Sequence, residues 1–326
     1  MNTAVLSAYA ATINPDDPLS GLVVGERPEP EPPNGDWTTV TIKAASLNHH
    51  DLWSLKGVGL PADRLPMILG CDASGIDQDG NPVLIHALIG DQDWGGDETL
   101  DPRRTILSER YQGTLAERLT VPRRNLLPKP EGISFQQAAC LPTAWLTAYR
   151  MLFTRARVTP GQTVLVQGAG GGVATALIVL GSRAGVRVWV TSRSEEKREL
   201  ALRLGADAAF ESGARLPERV DTVMETVGAA TWSHSVKSLK QGGAIVISGA
   251  TSGDAPPAEL TRIFFLQLSV VGSTMGTRDE LERLMRLMVQ RQIEPTISQT
   301  LPLSEARAGF EAMLEGQTGG KIVFTV

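Results

Sequence analysis

Apolar and polar positions change rhythm twice along this chain. Up to about residue 130, short apolar runs are separated by polar stretches rich in proline and glycine. "TTVTIKAASL" (38–47) alternates as a half-buried strand does, and "PEPEPPNGD" before it reads as a turn-rich connection. "NPVLIHALIG" is a further strand candidate, whereas residues 91–110 are polar and predict a long loop. Near Gly132 the pattern changes. "SFQQAACLPTAWLTAYRMLF" reads as helical with a break at Pro142. Apolar runs at 163–167, 186–190, 207–210, 220–225, 244–248 and 269–273 then alternate with helical stretches, including 173–184, 194–204 and 229–240. Six short apolar strands alternating with helices predict an α/β fold, a parallel sheet covered on both faces. After Met275, Thr277 and Glu280 form a capping-box pattern, and Leu281, Leu284, Met285 and Met288 mark one core-facing helical stripe. A second capped helix, "PLSEARAGFEAMLEG", and a strand, "GGKIVFTV", end the sequence.

Composition adds mostly exclusions. The 326 residues allow two domains, and 42% hydrophobic with 21% charged residues is ordinary for a soluble globular protein. A net charge of -5 offers no basic surface for nucleic acid, and the doublets Arg103-Arg104 and Arg123-Arg124 read as solvated loop positions. No run reaches the length of a membrane span, and "MNTAVLSAYAATIN" lacks the features of a signal peptide, so a cytoplasmic location is expected. Cys71 and Cys140 provide neither a disulfide framework nor a Cys-x-x-Cys zinc pattern.

Chemistry enters at "VLVQGAGGGVATALIVLGSRAGVRVWVTSRSEEK" (164–197). Gly168, Gly170, Gly171 and Gly172, with Val173 opening the helix, lie between a strand and a helix. Glycines there permit a sharp turn and a close ligand approach, and the helix N-terminus attracts a pyrophosphate. Ala174 takes the place of the last glycine of the usual fingerprint. The bland alternative is a tight turn without a ligand. The second strand ends in Thr191, Ser192, Arg193 and Ser194, with Lys197 a turn later, and carries no acid. A carboxylate would hold a ribose 2′-hydroxyl and repel a 2′-phosphate, whereas hydroxyls and cations bind the phosphate. The expected cofactor is therefore NADP(H), the alternative being that Arg193 and Lys197 are merely exposed helix-start residues.

"ASLNHHDLWSLKG", "PMILGCDASGI", "GTLAERLTVPRRNLLPKPEGISFQQAACLPTAWLTAYRML", "LRLGADAAF", "LKQGGAIVISGATSG", "VVGSTMG" and "GGKIVF" follow one another as landmarks do in the medium-chain dehydrogenase/reductases. The chain resembles that family over essentially its whole length. The resemblance implies a mostly-β GroES-like catalytic domain (1–130 and 277–326) around a Rossmann domain with a six-stranded, doubly wound parallel sheet (131–276). It also implies a cofactor cleft between them and commonly a homodimer. Zinc alcohol dehydrogenases of the family carry Cys, His and Cys at the positions of Asn48, Cys71 and Thr143, and an acid at Asp72. Asn and Thr are poor zinc donors. The chain is thus expected in the zinc-free branch of quinone oxidoreductase-like and enoyl reductase-like members, whose "AxGGVG" loop "QGAGGGVA" resembles. A rearranged metal site from His49, His50, Asp51, Cys71 and Asp72 is the alternative.

Without a metal electrophile, an activated acceptor is the easier substrate: a quinone, or a C=C bond conjugated to a carbonyl. The resemblance places Asn48 near the nicotinamide and makes His50 and Asp51 candidate proton-relay groups, against a reading of 49–51 as a structural cap of the following helix. It places Thr147 beneath the nicotinamide. Gly249, Ala250 and Thr251 end the fifth strand and Ser273, Thr274 and Met275 the sixth, both expected beside the cofactor. Lys321 is expected to reach the pyrophosphate, or else to be a surface lysine. Trp53 and Tyr149 read as pocket wall or packing, Tyr111 as a remote candidate proton donor, and His86 and His234 as structural. "LQLSVVGSTMG" has the apolar character of a dimer edge. The functional expectation is an NADPH-dependent, zinc-independent oxidoreductase for quinones or α,β-unsaturated carbonyls acting on a small molecule. The alternatives are an NADP-dependent alcohol dehydrogenase with an atypical metal site, or a cofactor-binding protein with little catalysis.

Overall fold

The computed structural model describes residues 4–326. The chain supplies β1 (Ala4–Ala10), β2 (Leu22–Pro28), β3 (Trp37–Ser46), α1 (His49–Leu55), β4 (Met67–Ile68), β5 (Asp72–Ile76), β6 (Pro82–Ile85), β7 (Leu88–Ile89), β8 (Thr105–Ile106), β9 (Arg118–Pro122), β10 (Leu126–Pro128) and α2 (Phe135–Ala139). It continues with α3 (Leu146–Tyr149), β11 (Thr163–Gln167), α4 (Gly172–Arg183), β12 (Arg187–Ser192), α5 (Glu195–Arg203), β13 (Ala208–Glu211), β14 (Val220–Glu225), α6 (Trp232–Ser238), β15 (Leu239–Ile247), α7 (Leu260–Phe265) and β16 (Ser269–Gly272). It closes with α8 (Arg278–Arg291), β17 (Ile297–Pro302), α9 (Ala306–Leu314) and β18 (Lys321–Thr325).

Two compact units result: Met1–Thr143 with Thr277–Val326, and Ala144–Gly276. The divisions fall between Thr143 and Ala144 and between Gly276 and Thr277, with α2 fastened to the first unit. Ser74 Oγ donates to the Phe135 carbonyl (2.6 Å) and Ser46 Oγ to that of Ala139 (2.9 Å). The helical stretch does break around Pro142, where Leu141–Trp145 winds as a π turn before α3.

The first unit is mainly β. One sheet runs β10-β6-β5-β3-β18-β17, with β9 also pairing with β3, and a smaller one runs β2-β1-β4. In β3 the alternation read from sequence buries Val40, Ile42 and Ala44 and exposes Thr41 and Lys43. Leu47, Leu55, Phe310 and Phe324 fill the same core. Gly309 on α9 lets the Phe324 ring approach; a Cβ there would lie 2.7 Å from it. The polar stretch 91–110 is fixed by carboxylates rather than by apolar packing. Buried Asp101 accepts the Asp91 and Arg103 N–H groups. Thr277 and Glu280 cap α8 reciprocally, and Leu281, Leu284, Met285 and Met288 are buried as their spacing predicts.

The second unit holds a six-stranded sheet in the order β13-β12-β11-β14-β15-β16, parallel throughout. Every residue of β11 is buried, as a central strand covered on both faces requires. Because all six strands point one way, the segments after β11, β12, β15 and β16 share one edge of the sheet. No helix among the described residues is long and apolar enough to cross a membrane.

Candidate active site

The shared edge gathers most of the expected cofactor residues. Gly168 follows β11 with φ +83°, a left-handed conformation that favours glycine. Gly171 is the N-cap of α4, and a Cβ built on it meets nothing within 4 Å, so the twelve-residue helix opens toward free space. Ala174 is buried, filling the close-packed position of the missing glycine. Gly249, Ala250 and Thr251 follow β15; Ser273 follows β16 and donates its N–H to the Ile247 carbonyl (2.8 Å). Met275 is buried with φ +48°. Thr147 is buried on α3, which packs on α4.

Beneath this edge lies a network the sequence reading missed. Buried Glu225, the last residue of β14, accepts the N–H groups of Val227 (2.8 Å) and Gly228 (3.0 Å) and the hydroxyls of Thr231 (2.9 Å) and Ser235 (2.6 Å). Gln167 joins it through Ser235 (2.9 Å) and reaches His234 (2.9 Å), whose structural role was expected. The carboxylate thus shapes the turn after β14 from below. Nothing in "VMETVG" distinguishes such an anchor from an exposed acid.

At the end of β12, Ser192 is buried and Arg193 exposed. Ser194 Oγ caps α5 by accepting the Lys197 N–H (3.3 Å). Arg198 Nη1 donates to the Ser192 (2.8 Å) and Arg193 (3.3 Å) carbonyls. A guanidinium outside the expected set therefore fixes the turn that carries Ser192 and Arg193. Thr191 turns inward, its hydroxyl donating to Gln167 Oε1 (2.5 Å).

The second constellation lies in the first unit, at the head of α1. Asp51, buried, accepts the Asn48 N–H at Oδ2 (2.8 Å) and the Gly70 N–H at Oδ1 (2.8 Å). Burial pushes its carboxyl up, while His50 and the two N–H groups pull it back. Asp51 is thereby the helix cap and the clamp on Gly70, not a group open to substrate. Asn48 is also committed. Its Nδ2 donates to Asp72 Oδ2 (2.9 Å), and its Oδ1 accepts from Lys321 Nζ (2.7 Å). Lys321 is 2% exposed and donates further to the Leu47 carbonyl (2.8 Å) and Asp72 Oδ2 (3.2 Å). This corrects both expectations for Lys321. It is no surface lysine, and its ammonium, with three acceptors for three N–H bonds, is spent inward rather than reaching for a pyrophosphate.

His50 stands apart from the cap. Its Nδ1 lies 3.3 Å from Cys71 Sγ and its Nε2 lies 3.2 Å from Glu109 Oε1. Burial alone would lower its pKa, but Cys71, Glu109 and the Asp51 charge outweigh burial and raise it well above the ordinary histidine value. Burial pushes the Cys71 thiol up. Both cysteines are free and buried, with the Cys140 thiol pushed by burial up to about 12. Glu109 lies in the stretch 91–110, where no periodicity or motif marks it. His49 is exposed. Tyr111 packs against Trp37, ring centroids 4.7 Å apart, and His86 is buried with Nε2 3.3 Å from Glu98.

These residues do not complete the three-position zinc donor set that the resemblance implies. Of the three ligand positions implied by the resemblance, Asn48 is consumed by Lys321 and Asp72, and Thr143 offers only a hydroxyl, buried and without a hydrogen-bond partner among the described residues. Cys71 alone is a proper donor. Donor atoms of His50, Asp51 and Cys71 do lie within 4.8 Å of one another. Both Asp51 oxygens, however, hold backbone N–H groups, and both imidazole nitrogens have partners.

Comparison with known proteins agrees with this architecture. Residues 34–131 match the alcohol dehydrogenase GroES-like domain and residues 172–290 the zinc-binding dehydrogenase domain. The chain is 34% identical to a solved NAD-dependent alcohol dehydrogenase structure, with a TM-score of 0.90 over 98% of this chain and 99% of that one. It is 29% identical to acryloyl-coenzyme A reductase of Metallosphaera sedula over 94% of this chain and 96% of that protein. It is 28% identical to crotonyl-CoA carboxylase/reductase of Cereibacter sphaeroides, over 85% and 77% respectively. With one domain matched on each side of the Rossmann boundary and a relative of this identity spanning the whole chain, the protein belongs to the medium-chain dehydrogenase/reductase superfamily.

Proposed function

We propose that this protein is an NADPH-dependent, zinc-independent reductase of C=C bonds conjugated to a carbonyl. One observation carries the reading: Asn48 is locked between Lys321 and Asp72, so the three-position donor set implied by the resemblance is incomplete, while His50 keeps a partly exposed ring. Without a Lewis acid, an unactivated ketone lacks its electrophile. A conjugated acceptor needs none, because its negative charge moves to the carbonyl oxygen. The relatives that reduce acryloyl- and crotonyl-CoA favour a short unsaturated acyl thioester within this class. Quinones share its electronic demand.

Bound NADPH supplies the hydride from its nicotinamide C4. The chain's task is to hold it: the N–H groups at the head of α4 would take the pyrophosphate, and Ser192, Arg193 and Lys197 would take the 2′-phosphate. Metal analysis of the purified protein, paired with NADPH oxidation, tests the reading. Turnover of acryloyl-CoA, trans-2-hexenal or 1,4-benzoquinone should survive EDTA, without stoichiometric zinc and without reduction of cyclohexanone. Bound zinc with chelator-sensitive ketone turnover would overturn it in favour of an alcohol dehydrogenase. Tight NADPH binding with no turnover of any acceptor would overturn it in favour of a binding protein.

The same reading includes a homodimer. Among the described residues β16 pairs only with β15, and its Val270 is exposed. On the neighbouring α7, Phe264 and Phe265 are 68% and 74% exposed. A second copy is the expected cover. Sedimentation equilibrium should show a dimer for the native chain and a monomer for Phe264→Glu/Val270→Lys; a native monomer would refute this.

A further inference from the structure

A single line of side-chain hydrogen bonds runs beneath the nucleotide edge, from strand to strand. Thr191, near the end of β12, donates its hydroxyl to Oε1 of Gln167, the last residue of β11. Gln167 Nε2 donates to Ser235 Oγ (2.9 Å), and Ser235 donates to Glu225 Oε2 (2.6 Å) at the end of β14. Thr191, Gln167, Ser235 and Glu225 are each no more than 1% exposed. The direction of the line is forced from its far end. A carboxylate only accepts, so Ser235 must donate to it; the Ser235 oxygen then draws in the Gln167 amide nitrogen and leaves Oε1 for Thr191. From Glu225 the order passes outward into the backbone. Its oxygens accept the Val227 and Gly228 N–H groups. Val227 Cγ2 lies 3.5 Å from where a Cβ on Gly168 would stand, and the Val227 carbonyl accepts both the N–H and the hydroxyl of Ser252 (2.7 Å each). Gly228, at φ +90°, comes so close to the next loop that a Cβ would lie 2.4 Å from the Gly253 carbonyl oxygen, which also accepts the Ala229 N–H (2.9 Å). The loop after β14 therefore touches the glycine loop at Gly168 and the turn at 250–253.

We propose that Glu225 is the positioning residue of the nucleotide edge: as the terminal acceptor of this line, it fixes the loops after β11, β12, β14 and β15 in the spacing that a bound dinucleotide requires. The inference rests on the nucleotide-binding reading of that edge and is independent of the reaction catalysed. Glu225 is buried and acts through the backbone above it. Loops already held in place spare the ordering that binding would otherwise cost. The carboxylate works on loop positions and not on the cations at Arg193 and Lys197. It therefore sets the affinity for the dinucleotide as a whole, leaving the choice between NADPH and NADH to the turn after β12.

Glu225→Gln keeps the size of the side chain but turns one acceptor into a donor, which opposes either the hydroxyls or the N–H groups around it. Titrated by nicotinamide fluorescence, this variant should bind NADPH and NADH each about tenfold more weakly, with their ratio within about twofold of the native one. Val220→Ala separates positioning from mere stability. Val220 is fully buried at the opposite end of β14, so its truncation weakens the same sheet without touching the line, and both affinities should stay within about twofold. In hydrogen exchange of the nucleotide-free protein, peptides over 226–230 and 249–253 should lose protection in Glu225→Gln and keep it in Val220→Ala. Ser235→Ala breaks the line one step earlier with less risk to folding, and should give a smaller loss, again equal for the two nucleotides. Unchanged affinities in Glu225→Gln, or in Ser235→Ala should the former not fold, would overturn the inference. So would a loss that Val220→Ala reproduces at the same stability. A native chain that binds neither nucleotide would instead sink the nucleotide-binding reading. Exchange over 226–230 and 249–253 would then still report whether Glu225 holds these loops.

Discussion

Lys321→Met should destabilise the first unit by about 3–5 kcal/mol, the cost of leaving a buried charge without its partner. Asp72 is fully buried, and its Oδ2 gathers Ser46, Asn48 and Lys321, while Oδ1 has no hydrogen-bond partner among the described residues. Removing the ammonium strands that carboxylate and frees the Leu47 carbonyl and Asn48 Oδ1 as well. Ser46, Asp72 and Lys321 sit on β3, β5 and β18, so the damage should be local. Hydrogen exchange followed by mass spectrometry reads it directly: peptides of β3, β5 and β18 lose protection, while β11 and β12 keep theirs. Adding Asp72→Asn removes the stranded charge and should return about 1 kcal/mol or more. A single variant that loses less than about 1 kcal/mol would show that Asp72 is satisfied without Lys321.

The β-α alternation, the strand positions of the second unit and the stripe of α8 were legible because they rest on periodicity, which the chain carries locally. The glycine loop was legible for a similar reason, since strand, turn and helix lie within a few residues of one another. The polar cluster at the head of α1 was legible only as a set of candidates. That Asp51 caps α1 while His50 faces away is decided by Gly70, Cys71 and Glu109, which lie 19, 21 and 59 residues from their partners. The inward turn of Lys321 depends on β18 pairing with β3, a contact between the two ends of the chain. Glu109 and Glu225 were missed for a shared reason. A buried carboxylate satisfied by N–H groups and hydroxyls looks, in sequence, like any surface acid.

The turn after β12 yields the largest functional effect expected. Arg193→Ala/Lys197→Ala should weaken NADPH binding by about 10- to 100-fold, the worth of one or two charge-assisted hydrogen bonds, and leave NADH binding nearly unchanged. Ser192→Asp on that background should reverse the preference, because a carboxylate at this strand end accepts the ribose 2′-hydroxyl and repels a 2′-phosphate. Arg198 provides the control. It holds the Ser192 and Arg193 carbonyls from below, so Arg198→Ala should weaken both cofactors together by loosening the turn. Dissociation constants from nicotinamide fluorescence separate the two effects without any turnover. The comparison is demanding because the solved relative at 34% identity is an NAD-dependent enzyme. Similarity of fold does not decide the cofactor, since other structures of this fold are complexes with NADP, whereas the residues of this turn predict NADPH. Equal affinities in the native chain, or an Arg193→Ala/Lys197→Ala protein with an unaltered NADPH-to-NADH ratio, would show that these cations lie outside the site.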